Sequence, residues 1–410
     1  MVSSAMPVRY APIVVRLLTV TEAQERVLER VRTLPLEPVP IAEAAGRVLG
    51  EDARALVDLP PFESSAMDGF AVRAADLPGR LPVVEHIAAG RPATGPLGPG
   101  ESMGIATGGV VPAGADAVVP VEYVVHHDND IVVDEAPEPG ANVRPRGGDL
   151  RAGEVVVPAG VRLGAAAVGA LAAAGVAEVH CARRPRVAVL TTGTELARPG
   201  EPLAAGQVYE ANGTMLAAAV ASAGGDIELL PAVEDTEEAH RRSLERGLTT
   251  DVLVTSGGVS VGPHDLVRRI EAELGVEEIF WRVAVKPGKP VSFGVRGETL
   301  VFGLPGNPVS SLVGFELFVR PALLALQGLA SPLPRLERGR LAKSVRRNPA
   351  RDELIRARSR LDPDGIVLEP LEGQESHMIA RAALADALVL APMGEGELEV
   401  GEPVAYLPLR

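Results

Sequence analysis

Apolar residues along this chain recur in three textures, and each predicts a different kind of element. In residues 19–33, Ala23, Val27, Leu28 and Val31 stand at helical spacing, and Thr21 with Gln24 supplies a Thr-x-x-Gln capping pattern, so an amphipathic helix is predicted there. From 35 to 57 the chain is Pro-rich and strand-like, until Asp58-Leu59-Pro60-Pro61-Phe62 breaks it. Between about 81 and 133 short β segments, Val83-Val84, Ala117-Val118-Val119 and Ile131-Val132-Val133, are separated by Gly and Pro turns. They predict a small β module inserted into the first domain, with His126-His127 in a polar surface turn. Residues 165–174 return to helix, with Gly175 as the stop.

After Arg183-Arg184-Pro185 strand and helix alternate. Strands are predicted at 187–190, 227–230, 252–255 and 300–303. Helices are predicted from Asn212, read as a cap, through Ala223 to a stop at Gly224-Gly225, then at 237–248 and at 309–326 behind Asn307-Pro308. Such alternation predicts a doubly wound α/β domain over 183–328. Beyond Pro332 the segments alternate apolar and polar, Asp362-Pro363-Asp364-Gly365 reads as a hairpin turn, and 400–407 reads as a last strand. The fold class is thus α/β multidomain. Residues 12–57 with 134–182 form an N-terminal mixed domain, 58–133 the inserted β-rich domain, 183–328 the α/β domain, and 329–410 a small β-barrel-like domain.

Composition narrows the picture. With 410 residues there is room for two to four domains, and 46% apolar but only 3% aromatic residues means cores of Val, Leu and Ala. A net charge of -14 disfavours nucleic acid and anionic membrane as partners. Cys181 is the single cysteine, so an internal disulfide and a Cys-rich metal site are excluded, and it reads as a small hydrophobe near a strand start. Arg9 and Arg16 interrupt the first 20 residues, which argues against a signal peptide, and the apolar run 164–176 is too short to span a bilayer. A soluble, cytoplasmic protein is expected.

Three Gly/Pro-punctuated loops carry the densest candidate chemistry. Ser256-Gly257-Gly258-Val259-Ser260 follows a predicted strand, where glycines allow close approach to phosphate and Ser256 and Ser260 add hydroxyls, with Asp265 a few residues on. An isolated Gly-Gly is more often an ordinary turn, and no Walker Gly-Lys-Ser/Thr follows. In Lys286-Pro287-Gly288-Lys289-Pro290 the prolines restrict the backbone and hold two ammonium groups close, which suits a doubly charged tetrahedral oxyanion. Gly303-Leu304-Pro305-Gly306-Asn307-Pro308 is a third rigid loop, either a binding wall or a helix-start turn.

Acidic candidates are Asp68, Asp149, Glu195 and Asp235. The last two lie just past predicted strands on the edge that carries Ser256, and carboxylates there match Mg²⁺, which takes few protein oxygens and completes its shell with phosphate and water. None of the seven histidines has metal-ligand spacing, and no Ser-His-Asp or Cys-His pairing can be read from order. Arg346, Arg347, Arg351, Arg356 and Arg358 form a basic cluster that is either a solvated face or an anion pocket.

These motifs together resemble the molybdopterin molybdotransferases, the MoeA-like proteins that include the E domain of gephyrin. The resemblance runs from about residue 12 to 409. It rests on Pro60-Pro61-Phe62 with Ser65 through Val72, on Thr107-Gly108-Gly109 with Pro112 through Val119, on Ser256 through Gly262, on the Lys286 and Gly303 loops, and on Gln374-Glu375-Ser376-His377. It implies a homodimer that inserts molybdate into adenylylated molybdopterin with release of AMP, using Mg²⁺. By that resemblance Ser256, Gly257, Gly258, Ser260, Asp265, Pro305 and Pro308 belong to the substrate site, and Glu195 and Asp235 to the metal. Lys286, Lys289, Arg351 and Ser376 would bind molybdate, while Asp68, Thr107 and Asp149 would line the cleft from the other subunit. Thr194 stands where the family often has a second acid, and Gly148 where Glu commonly precedes Asp149. The rival readings are an adenylyltransferase acting one step earlier and a gephyrin-like scaffold.

Overall fold

The computed structural model describes residues 17–231, 236–258 and 266–409, and the chain divides into two compact units, Glu37–Cys181 and the remainder.

In the larger unit, a six-stranded sheet runs in the order Asp226–Leu229, Arg186–Thr191, Val252–Ser256, Thr299–Leu304, Ser292–Arg296, Glu277–Trp281. The first four strands are parallel and the last two antiparallel. Both faces are covered. Val187, Val189, Val252, Val254, Leu300 and Phe302 pack one way against Leu216, Val220 and Phe315, while Ala188, Leu190, Leu253 and Val301 pack the other way against Leu244, Val267 and Ile270. This is why these strands read as continuous apolar runs rather than alternating ones. Each fully buried Val or Leu is worth about 1.5–3 kcal/mol relative to exposure, so the doubly covered sheet anchors the unit.

The predicted helix at 309–326 is the continuous helix Pro308–Leu326, which opens into a π-turn over Phe315–Val319. Among the described residues this helix alone is long and apolar enough to cross a membrane, and it is 78% buried inside the fold. The apolarity belongs to the core.

The terminal strands close into a barrel. Asp352–Asp362, Gly365–Pro370, Glu337–Leu341, Pro403–Pro408 and Ala387–Ala391 follow in turn, and Ala387–Ala391 pairs back onto Asp352–Asp362. Residues 362–365 form the expected hairpin turn. The short strand Val285–Lys286 adds to the barrel in parallel with Asp352 and Glu353.

In the smaller unit a six-stranded sheet runs Ala117–Pro120, Gly69–Val72, Ser102–Ile105, Gly79–Ile87, Asp130–Val133, Val125–His127. A second layer packs the helix Ala165–Ala173 through Leu171 onto Leu49, Leu163 and the fully buried Cys181, whose thiol is pushed up by that burial.

Three local expectations are corrected. The first helix spans Val20–Leu28 and is capped by Thr19 with Glu22, not by Thr21 with Gln24: Glu22 N–H donates to Thr19 Oγ1 at 3.1 Å and Thr19 N–H donates to the Glu22 carboxylate at 2.8 Å. A charged glutamate closes the box more strongly than Gln24 could, because it also meets the positive end of the helix. His126 and His127 lie in a strand, where the His126 ring meets Phe70 edge-on. Cys181 lies near the end of the strand Glu178–Ala182 rather than at a strand start.

Candidate functional site

Thr191, Ser256 and Leu304 are register partners in one row at the carboxyl ends of three adjacent parallel strands. The strands Asp226–Leu229 and Val252–Ser256 flank Arg186–Thr191 on opposite sides, so the chain's path reverses here, and such a reversal opens a crevice between successive loops.

The loops at this edge are tied to one another. Thr192 N–H donates to Ser256 O at 3.1 Å, and Gly257 N–H donates to Leu304 O at 3.1 Å. A Cβ on Gly257 would stand 2.9 Å from Thr192 O, and Gly257 has φ +98, so only glycine fits between the two loops. Ser256 is 2% exposed and its hydroxyl is engaged inside the protein, within 3.2 Å of Ser311 Oγ and 3.3 Å of Pro305 O. It organises the loop rather than facing outward.

Asn212 holds this arrangement, a role its position in the sequence did not suggest. It was expected to cap a helix; instead it is the first residue of the helix Asn212–Ser222, and Glu210 accepts the Gly213 N–H in the capping role. The freed Asn212 amide donates to Ser256 Oγ at 2.9 Å and to Gly306 O at 2.7 Å. Its Oδ1 is buried without a hydrogen-bond partner, an open acceptor at the base of the loops. Likewise Asn307 stands at the N-cap of the helix Pro308–Gly314 without a capping bond, and its amide donates to Ser376 Oγ at 2.9 Å.

Ser376 therefore reaches the site through Asn307, and Val309 N–H donates to Ser376 O at 3.1 Å. Behind it lies Arg356, 1% exposed, whose guanidinium donates to the carbonyls of Gly373 (2.7 Å), Met378 (2.8 Å) and Glu375 (3.1 Å). Burial lowers the pKa of this guanidinium, with Glu375 opposing. The basic cluster read from the sequence is thus not one patch: Arg347 donates to Pro392 O and Met393 O, and Arg358 to Leu384 O. Arg351, just before the strand Asp352–Asp362, is half-buried.

In the lysine loop, Gly288 has φ +107 and a Cβ there would approach Ser310 O at 3.5 Å, which sets the loop against the start of the long helix. Lys286 Nζ pairs with Glu353 Oε1 at 2.8 Å, a carboxylate partner the sequence reading did not single out. Lys289 is exposed and has no carboxylate partner among the described residues. Glu195 is exposed in the loop after Arg186–Thr191, while Asp235, Ser260 and Asp265 lie outside the described residues. No group of three or more His, Cys, Asp or Glu side chains that could hold a metal occurs among the described residues.

In the smaller unit Asp68 accepts two hydrogen bonds from Thr107, from its N–H at 2.7 Å and its hydroxyl at 2.9 Å. The backbone N–H first, and the hydroxyl with it, hold the Asp68 carboxyl below the usual range. Asp149 is exposed on a loop bound through its N–H to Leu59 O at 2.9 Å. Asp58 braces that loop by accepting from Ala152 N–H at 2.9 Å and Arg146 Nε at 2.6 Å, and these bonds, the backbone one first, lower its pKa.

Three family models match almost end to end: the MoeA N-terminal region (domain I and II) over residues 18–175, a probable molybdopterin binding domain over 188–325, and the MoeA C-terminal region (domain IV) over 338–409. A molybdopterin molybdenumtransferase of Haemophilus influenzae is 33% identical over 404 residues, covering 96% of this chain and 98% of the relative. Molybdopterin molybdenumtransferase 2 of Mycobacterium tuberculosis is 41% identical over 329 residues, 77% of this chain and 81% of the relative. The crystal structure of the molybdopterin biosynthesis MoeA protein of Pyrococcus horikoshii superposes with a TM-score of 0.83 at 28% identity, covering 96% of this chain and all of that one.

Proposed function

The chain belongs to the MoeA family, and from that membership we propose that it inserts molybdate into adenylylated molybdopterin, releasing AMP and molybdenum cofactor. The observation that supports the reading is that two rigid loops, one glycine-rich and one carrying two lysines, lie in the same unit. The glycine loop at Gly257 and Gly258 lies at the strand edge, and the Lys286–Lys289 loop is held between the long helix and the terminal barrel.

In this reading the backbone around Gly257 and Gly258, with Pro305 and Pro308 shaping the wall, receives the nucleotide phosphate. Ser256 contributes as the internal brace of that loop rather than through its own hydroxyl. Ser260 and Asp265 are assigned to the same site. Lys286, Lys289, Arg351 and Ser376 bind molybdate: two N–H groups of Lys286 and all three of Lys289 remain to meet its oxygens. Positioning two anions side by side against fixed donors lowers the entropic and electrostatic cost of their meeting.

Mg²⁺ is proposed as the cofactor, with Glu195 and Asp235 as its protein ligands. An exposed carboxylate at the strand edge fits an ion that takes few protein oxygens, and when bound it would offset phosphate charge. Asp68, Thr107 and Asp149 are assigned to the same substrate from a second copy of the chain in a homodimer. The division into 12–57 with 134–182, 58–133, 183–328 and 329–410 and a cytoplasmic location belong to this proposal.

The test is AMP release from adenylylated molybdopterin and Mg²⁺ with and without molybdate. Release that requires molybdate, and that Lys289→Ala abolishes without altering the oligomeric state, supports the reading. Release indifferent to molybdate overturns the reading, and attachment of AMP from ATP assigns the chain to adenylyl transfer instead.

A further inference from the structure

Lys286 and Glu353 are direct register partners across the parallel pairing of Val285–Lys286 with Asp352–Asp362, so the backbone itself sets the carboxylate beside the lysine. Asp352 N–H donates to Ala284 O at 3.1 Å and secures the same seam. Lys286 Nζ stands 2.8 Å from Glu353 Oε1, with the Glu353 side chain 13% exposed and that of Lys286 44% exposed. An anion bound at Lys286 thus meets a fixed, sheltered negative charge within one hydrogen bond of its ligand. For a site whose task is to hold a dianion this is a cost, unless the anion brings a proton.

We propose that Glu353 is a specificity-determining residue of the oxyanion site: it accepts a hydrogen bond from a protonated oxygen of molybdate and rejects sulfate. The inference rests on the reading of Lys286 as a molybdate ligand. A carboxylate can only accept, so an oxygen lodged against both Lys286 and Glu353 is favoured when it carries hydrogen and repelled when it does not. Sulfate and molybdate share charge and tetrahedral shape, and lysines alone discriminate poorly between them. They differ in basicity: both are dianions in neutral water, but molybdate is the stronger base, so placing a proton on one of its oxygens costs less than placing one on sulfate. Selectivity then comes from a repulsive element built against the wrong partner.

Calorimetric titration of the full-length chain with sodium molybdate and with sodium sulfate tests this, alongside Glu353→Gln and Glu353→Ala. Glu353→Gln keeps an oxygen toward Lys286 and removes the charge. The wild-type chain should bind molybdate at least tenfold more tightly than sulfate, and both variants should lower that ratio about tenfold, chiefly by gaining affinity for sulfate. Thermal melting of each variant establishes that it is folded. A ratio unchanged in the variants, an equal loss for both anions, or a wild-type chain that binds the two alike overturns the inference. Molybdate-dependent AMP release by the wild-type chain is read separately. Its absence with the selectivity intact removes the proposed reaction but not the selection, and its presence with selectivity unaffected by Glu353 removes only the selection.

Discussion

Arg356 and Gln374 hold each other in both directions: Arg356 N–H donates to Gln374 Oε1 at 3.0 Å, and Gln374 Nε2 donates to Arg356 O at 2.9 Å. A strand residue is thereby locked to the loop that presents Ser376, and the guanidinium gathers three more carbonyls of that loop. Removing the side chain leaves those carbonyls without their donor. Arg356→Ala should lose roughly 3 kcal/mol in chemical denaturation, and hydrogen exchange over 373–378 should rise. Arg356→Lys, with three donors and no planar fork, should recover only part of the loss. Unchanged exchange in the loop would show that Arg356 does not hold it.

Asn212 joins two loops through one amide, so its loss should affect the site more than the fold. Asn212→Ala gives up bonds to Ser256 Oγ and Gly306 O and should cost about 1 kcal/mol of stability. Molybdate-dependent AMP release should fall at least tenfold, because both tethered loops shape the proposed phosphate pocket. A variant with full turnover would remove Asn212 from the site's framework.

Gly257 and Gly90 separate backbone strain from steric exclusion. Both have positive φ, +98 and +77, but a Cβ at Gly90 meets nothing within 4 Å, whereas one at Gly257 stands 2.7 Å from Thr192 Oγ1 and 2.9 Å from Thr192 O. Gly90→Ala should cost about 1 kcal/mol from strain alone, and Gly257→Ala roughly 2 kcal/mol or more. Gly257→Ala should also weaken AMP binding, which equilibrium dialysis would measure; equal effects of the two substitutions on stability and binding would refute the close-packing role.

Asp251 makes an acid-sensitive contribution to stability. Burial pushes its pKa up, but the paired bonds from Arg183, both 2.7 Å, and the N–H of Arg186 at 2.7 Å outweigh this and leave it lowered. A carboxyl whose folded pKa is depressed stabilises the fold above its unfolded value of about 4, and the contribution is lost as pH falls from there through the folded pKa. Asp251→Asn should therefore cost about 1–3 kcal/mol at pH 7, with the difference from wild type shrinking below about pH 4. Urea melts across that range check it, and a difference that stays constant with pH would exclude the linkage.

How far the sequence reads depends on the range of the interaction. The strands at 187–190, 252–255 and 300–303 were legible because a sheet covered on both faces demands uninterrupted apolar runs, and Gly175 and the 362–365 turn were legible because their backbone demands are local. Asn212 reads as a cap for the same reason, and a helix-start turn at Asn307 is one of the two readings of its loop, since Asn at a helix start has good local chemistry. Their amides went elsewhere once distant loops offered Ser256, Gly306 and Ser376 as partners.

By itself the sequence determined the alternating α/β core, the positions of the three rigid loops and the family they resemble, because periodicity, glycine and proline act on the chain within a few residues. Tertiary structure alone decided what those loops present. It turned the Ser256 hydroxyl inward, buried Arg356 under the loop of Ser376 instead of leaving it in a basic patch, and set Glu353 against Lys286. Each of these depends on the register of strands far apart in the chain, and a register is set by the sheet and barrel as a whole.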